Sequence, residues 1–341
     1  MISQVTVQAP VRVLDAGGWT DTWFSRTGRV CHLCTGPGAQ VLARLRPRPR
    51  GAGGAFRVHL RVPAYGDDYS FDPRRGPGRH PLLEAALERW APPGCSLEVS
   101  VEAAVPAGSS LGTSAAVVVA LLGALKALGE EPLAPADLAR AAHEVETVDL
   151  GRQSGVQDQV AAAYGGANVV DVDPYPEFEV RSLKLLPETA EELARRVVTI
   201  YLALGHDSSA VHEAVINHLE GHDDDAARLL APLREAATRA AAALVAGDIV
   251  SYGEAMVANT EAQVALHPSL VNPLARKVIR VAARSGALGW KVNGAGGAGG
   301  SLTLVAGDDP ERLLNALAPI SGVTVLDLRP VENGAHVVDQ A

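Results

Sequence analysis

The sequence predicts a two-lobed α+β protein, and three observations carry that expectation. A chain of 341 residues exceeds the roughly 150 residues typical of one domain, and 47% hydrophobic content can fill two cores. Strand-like segments with period-two or short continuous apolar patterns recur along the chain, while helical stripes dominate 210 to 285. The acidic, proline-marked stretch from Asp171 to Glu179 reads as a boundary or surface loop between halves, which divides the chain into 1–180 and 181–341.

From Gln4 to Leu14 the residues Val5, Val7, Val11 and Val13 alternate with polar or small neighbours, a strand interrupted at Pro10. It ends at Asp15-Ala16-Gly17-Gly18-Trp19-Thr20-Asp21-Thr22. That turn joins flexible backbone, an exposed-type aromatic and two acidic groups, a composition suited to a polyhydroxy ligand, although taken by itself it reads first as a turn with a satisfied Asp. Val41 to Leu45 and Phe56 to Val62 read as the strands of a half-buried hairpin around the tip Pro47 to Gly54. His59 belongs on its surface, and His32 and His80 have no evident partner. Leu82, Leu83, Ala86, Leu87 and Trp90 share one helical face, and Leu97, Val99 and Val101 alternate as a strand.

That strand delivers the chain to Pro106-Ala107-Gly108-Ser109-Ser110-Leu111-Gly112-Thr113-Ser114-Ala115-Ala116. Glycines allow close backbone approach, and a helix starting at Ser114 would aim unpaired N–H groups and its positive dipole end into the loop, so an anion is the natural occupant. No lysine lies in the loop, which separates it from GxxxxGK-type phosphate loops; a tight surface connection is the ordinary alternative. The helix runs to about Leu128. A second, from about Pro135 to Leu150, carries His143, Glu144, Glu146 and Asp149 and leads into a glycine-bearing turn, 151–159. A carboxylate on the helix and another in the turn can divide metal binding and proton abstraction, with Glu144 left to solvent.

Val197 to Leu204 reads as a buried strand ending at Gly205-His206-Asp207-Ser208-Ser209. Helices follow. Lys291 to Gly300 then forms a glycine-rich loop whose entropic cost favours close approach to a ligand or to another loop. Asp309-Pro310 opens a helix as N-cap and first-turn proline, and Val323 to Leu328 supplies a last strand.

A net charge of −9 without a basic block argues against nucleic acid; the Pro-punctuated patch Arg44 to Arg50 reads as a solvated loop. No apolar run reaches the roughly 20 residues of a membrane span, and Met1 to Pro10 lacks signal-peptide character, so a cytoplasmic protein is expected. Cys31-His32-Leu33-Cys34 is a lone CxxC, better read as small buried side chains than as a metal or redox pair.

The loop at 106–116 resembles the second motif, P-x-x-x-G-L-G-(S/T)-S-A-A, of the galactokinase, homoserine kinase, mevalonate kinase and phosphomevalonate kinase (GHMP) superfamily, with Ser110 in a glycine position. Ala9-Pro10-Val11-Arg12-Val13 with Gly17 to Asp21 is similar to the first motif in its sugar-kinase branch, that of L-fucokinases and D-glycero-D-manno-heptose 7-phosphate kinases, although Thr22-Trp23-Phe24 stands where fucokinases have T-P-P. Glu146 to Gln159 resembles the branch pattern E-x(n)-G-x-x-x-G-x-x-D-Q, and 294–300 the third motif, with Ala298 replacing a glycine.

The resemblance implies a ribosomal-S5-like N-terminal domain, a ferredoxin-like C-terminal domain and an ATP-dependent kinase. Its acceptor would be a monosaccharide hydroxyl, most simply the anomeric one. ATP would bind at Pro106, Gly108, Ser109, Ser110, Leu111, Gly112, Thr113, Ser114 and Ala115, and Mg²⁺ at Thr113 or Ser114 with Glu146. Asp158 would act on the reacting hydroxyl and Arg12 on the transferring phosphoryl. Gly18, Trp19, Asp21, Asp158, Gly296 and Gly297 would hold the sugar. A kinase of a non-sugar alcohol would not need the Gly17–Asp21 turn. An inactive sugar-binding relative would most simply have lost Arg12, Glu146 or Asp158, and all three are present.

Overall fold

Strand β1 (Gln4–Ala16) organises the fold of the computed structural model, which describes residues 3–46, 57–92, 96–129, 131–203, 209–220 and 223–341. After it come β2 (Gly28–Arg46), β3 (Val58–Val62), β4 (Asp67–Phe71), α1 (Pro81–Trp90), β5 (Ser96–Ala103), α2 (Thr113–Leu128) and α3 (Pro135–Glu144). Next are α4 (Gln157–Tyr164), β6 (Ala167–Val172), β7 (Phe178–Leu183), α5 (Pro187–Arg196), β8 (Val197–Leu202), α6 (Ser209–Leu219), α7 (Asp223–Ala246) and α8 (Ile249–Leu266). The chain closes with α9 (Pro273–Arg284), β9 (Gly289–Val292), β10 (Ser301–Val305), α10 (Pro310–Leu317), β11 (Val323–Leu326), β12 (Arg329–Pro330) and β13 (His336–Gln340).

The first sheet runs β13-β1-β2-β5-β3-β4, and the first half of β2 also pairs with β6, which pairs with β7. The second sheet runs β11-β8-β10-β9. In β1 burial alternates as far as Gln8 and is continuous from Ala9 to Ala16, so the second half of the strand is covered on both faces. Helices α2, α4, α7 and α8 all pack on it. Its register with β2 shifts on either side of Pro10 and again after Val13, which bends the strand as it approaches the turn at residue 17.

The expected hairpin does not form. Strand β5 lies between β2 and β3, pairing antiparallel with β2 (Val41↔Val101) and parallel with β3 (Leu60↔Val99). The connection after β2 is far longer than a tight hairpin loop, so chain proximity does not dictate pairing, and β5 brings its buried Leu97, Val99 and Val101 between the two. Phe56, the tip at 47–54 and the end of the basic patch lie outside the described residues, as do positions 205–208. His59 does lie at the surface, against Asp68 and Ser70, but His80 is held by Asp67 at 2.8 Å and His32 is buried beside Asn168. The stretch 171–179 is the turn of the β6–β7 hairpin in the first sheet, and β8 begins the second. Strands β12 and β13, which had no sequence signal strong enough to name, return the chain to β2 and β1.

Helix α3 stops at Glu144 and continues to Asp149 as a π turn instead of reaching Leu150 as regular helix. Such turns often mark functional positions, and this one contains Glu146. Cys31 and Cys34 are buried in β2; burial pushes the Cys31 thiol up to about 12, so neither is poised for redox chemistry.

Candidate active site

The loop before α2 is built from left-handed residues. Gly108, Ser110 and Gly112 have φ of 72°, 58° and 75°, and Ser110 adopts without glycine's freedom the conformation that explains a glycine at this place in the resembling motif. Buried Leu111 anchors the loop, its carbonyl accepting the Arg12 N–H at 3.0 Å. No side chain caps α2 at Gly112, so its first N–H groups face a cavity of about 770 Å³ lined by Gly108 to Ser114. Pro106 and Ala115 are not on that wall: Pro106 sets the entry turn, its carbonyl bonded to Ser109 N–H, and Ala115 is buried in the helix. The loop therefore fits a nucleotide's phosphates.

Arg12, 4% exposed, meets Asp158 through two parallel hydrogen bonds, Nε to Oδ1 at 2.9 Å and Nη2 to Oδ2 at 3.2 Å. Its Nη1 donates to the Ser110 carbonyl. One guanidinium thus ties β1, the phosphate loop and the first turn of α4 together. Burial opposes its charge, but Asp158, Asp15 and Asp21 outweigh burial and raise its pKa. A Cβ on Gly112 would stand 3.1 Å from the Asp158 carboxyl carbon, so the loop is packed on the acid. Asp158 and Arg12 line both the first cavity and a second one of about 370 Å³.

The second cavity is formed by the 15–24 turn, the 153–158 segment, α6 and residues 294–295. Gly18, Trp19 and Asp21 line it. Asp21 accepts the Gln157 N–H at 3.0 Å, and a Cβ on Gly155 would be 2.2 Å from its Oδ2, so only glycine admits the carboxylate there. Burial pushes the Asp21 pKa up to about 6; the Gln157 N–H opposes this and Asp158 adds to it.

The fold therefore prefers the neutral acid, and ionising Asp21 costs stability as pH rises from about 4 to about 6. A rise from 3.8 to about 6 corresponds to roughly 3 kcal/mol. Asp21→Asn is expected to match the wild-type melting temperature near about pH 4 and to exceed it above about pH 6. Thermal melts across that range check this; a variant that loses ground as pH rises would mean that the fold stabilises the carboxylate.

Trp19 differs from its expectation as an exposed aromatic. It is 7% exposed, sits at φ 79°, packs among Leu230, Leu233, Leu266 and Leu270, and donates its indole N–H to the Ala295 carbonyl at 3.3 Å. Its ring meets His212 edge-on at 5.7 Å. It pins the turn to the helices and shows only part of its surface to the cavity.

Thr113 and Ser114 line the first cavity, whereas Glu146 lines neither. Glu146 is 9% exposed, accepts from Gln159 Nε2 at 3.2 Å, and has its pKa raised by burial, with Asp158 adding to the rise. Among the described residues no three or more His, Cys, Asp or Glu side chains gather as a metal cluster. Thr113 and Ser114 give the first cavity two hydroxyls of the kind that Mg²⁺ accepts, while Glu146 stands back from that wall. Glu144 lies at the surface against Arg89 at 2.5 Å.

Gly296 and Gly297 stand behind the cavity wall. Gly297 N–H donates to Leu270 at 2.9 Å, a Cβ on Gly296 would be 2.4 Å from the same carbonyl, and the Gly296 carbonyl lies 3.0 Å from His212 Nε2. From this loop only Gly294 and Ala295 reach the cavity. Much of the glycine content thus serves packing within the chain.

Sequence reasoning missed the groups beneath the site. Lys291 and Asp15 are fully buried, 3.6 Å apart, and the other Asp15 oxygen accepts the Gly294 N–H at 2.8 Å. Burial lowers the Lys291 pKa to about 8, against the pull of Asp15. Asn293 receives the Leu14 N–H at 3.1 Å, and Asn259 the Gly17 N–H at 2.8 Å. A lysine inside the apolar strand Trp290–Val292 and an acid between Leu14 and Ala16 were the available signals.

The fold that brings these groups together is that of solved kinases of the GHMP type. Residues 81–166 match the model of the GHMP kinases N terminal domain. It is similar to a D-glycero-alpha-D-manno-heptose 7-phosphate kinase of Campylobacter jejuni, 26% identical over 64% of this chain and 64% of that protein's length. It is also similar to a mevalonate kinase of Methanothermobacter thermautotrophicus, 28% identical over 76% of this chain and 80% of the relative. The crystal structure of a D-glycero-D-manno-heptose 1-phosphate kinase from Bacteriodes thetaiotaomicron superposes with a TM-score of 0.75 at 22% identity, covering 98% of this chain and 99% of that one.

Proposed function

We propose that the protein is an ATP-dependent sugar kinase that phosphorylates a monosaccharide hydroxyl, the anomeric one. The observation that carries this reading is the Arg12–Asp158 pair at the junction of two cavities, one open to the α2 N-terminus and the other bordered by the Asp21 turn. Phosphoryl transfer asks mainly for alignment and charge stabilisation. The loop and α2 hold the phosphates, Asp158 accepts the proton of the attacking hydroxyl, and Arg12 stabilises charge on the transferring group. Mg²⁺, held by Thr113 or Ser114 and Glu146, would supply further neutralisation of phosphate charge. The division at residue 180 into two catalytic lobes, and a cytoplasmic setting, belong to the same reading. Among the described residues no helix is long and apolar enough to cross a membrane.

The test is incubation with Mg·ATP and a panel of hexoses, 6-deoxyhexoses and heptoses, reading ADP release and locating the product phosphate by phosphorus NMR. A sugar 1-phosphate, lost in Asp21→Ala, is expected because a site built to bond hydroxyls fails when its polar partner is removed. Phosphate on a primary hydroxyl, or full activity in Asp21→Ala, would refute the anomeric assignment. Similarity to a mevalonate kinase supports a second reading, a non-sugar alcohol as acceptor, for which the Asp21 turn would be dispensable.

Glu146→Gln is expected to raise the Mg²⁺ concentration needed for half-maximal activity more than it changes the sugar KM, since a hard cation loses an anionic ligand. The same phenotype in Glu144→Gln but not in Glu146→Gln would move the metal role one residue pair along the helix.

A further inference from the structure

We propose that the acceptor is an uncharged polyol and that the second cavity rejects a sugar already carrying a phosphate; this rests on the sugar-kinase reading above. Four carboxylates, Asp15, Asp21, Asp158 and Glu213, border that cavity, and Arg12 is the only Lys or Arg among the described residues lining it. The Arg12 fork is committed to Asp158 and the Ser110 carbonyl. Lys291 is enclosed behind Asp15 with no exposure.

The backbone donors that would otherwise greet an anion are also taken. The Gln157 N–H, in the first turn of α4, is bonded to Asp21, and the Gly294 N–H is bonded to Asp15. These are the positions where a helix start and a glycine loop would bind phosphate, and the protein's own carboxylates occupy both. What remains for a ligand is the carboxylates and the neutral side-chain amides of Gln153 and Gln157, the Gln157 Nε2 being buried without a partner; such a set matches sugar hydroxyls and offers a phosphate ester no uncommitted Lys or Arg among the described residues.

The first cavity has the opposite character. Arg79 and Arg152 line it together with the uncapped α2 start and its hydroxyls. Charge therefore sorts the two ligands: the anionic nucleotide to one side of Asp158, a neutral acceptor to the other. A volume of about 370 Å³ lies at the small end of small-molecule sites and suits a single ring.

Each neutral sugar is compared with its own terminal phosphate ester, hexose with hexose 6-phosphate and heptose with heptose 7-phosphate, by kcat/KM and by calorimetric binding. The neutral parent is expected to lead by about 100-fold or more, because like charges brought together at a desolvated site are penalised steeply. In Glu213→Lys, at an exposed position of α6 where folding is not threatened, the ratio is expected to narrow about tenfold, with Glu213→Gln between. An ester used as well as its parent, or a ratio unmoved by Glu213→Lys, overturns the inference and leaves the kinase reading standing. Absence of turnover with every sugar, neutral or esterified, overturns that reading and the inference together.

Discussion

Asp158→Asn is expected to lower kcat by roughly 10²-fold or more while leaving ATP binding intact. The amide keeps the shape of the side chain and an acceptor for Arg12, but it has no basicity with which to take a proton from the attacking hydroxyl. Among the described residues Asp158 is the one acid that borders both cavities while paired with Arg12, so no described neighbour stands in the same place. Asp21 accepts the Gln157 N–H on the other side, and Glu146 lines neither cavity. Single-turnover kinetics with saturating nucleotide, alongside calorimetric ATP titration, check the split. Near-wild-type turnover would remove Asp158 from the chemistry.

Arg12→Lys is expected to cost about 10² to 10³-fold in kcat and, unlike Asp158→Asn, to raise the KM for ATP. Arg12 reaches three acceptors at once, the two Asp158 oxygens and the Ser110 carbonyl, through a rigid planar fork. An ammonium offers a point charge and cannot span all three, so the charge survives while alignment of loop and acid does not. Removing charge altogether would leave Asp158 beside Asp21 and Asp15 without its counter-ion, so the lysine variant is the cleaner probe. Identical ATP KM values in the Arg12 and Asp158 variants would detach Arg12 from the phosphate loop.

The elements around the glycine loop were legible because their signals are local. Period-two apolar residues, the glycine loop, the prolines at the starts of α3 and α10, and the Asp309 cap each depend on neighbours a few positions away. The π turn at 145–149 was not legible: it replaces one regular turn of helix with no distinctive residue, and the contact that Glu146 makes there, accepting from Gln159, is with a residue of another helix. The position of β5 was equally hidden, since pairing between β2 and β3 is favoured by sequence order alone and the long connection removes that preference.

By itself the sequence determined the α+β class, the glycine loop before a helix and the acidic, basic and hydroxyl residues that the proposed phosphoryl transfer calls on, because composition, periodicity and motif order are properties of short stretches of chain. Only the tertiary structure decided which of those residues meet. Arg12 and Asp158 are 146 positions apart, Trp19 and Ala295 are 276 apart, and Asp15 finds Lys291 across the junction of the two sheets. It also turned Trp19 from a surface ring into a buried pin and set Gly296 and Gly297 behind the wall they were expected to line. The physical reason is burial. A carboxylate, an ammonium or an indole N–H taken out of water must find its partner wherever the packed chain brings one, and that partner is set by the packing of the whole core.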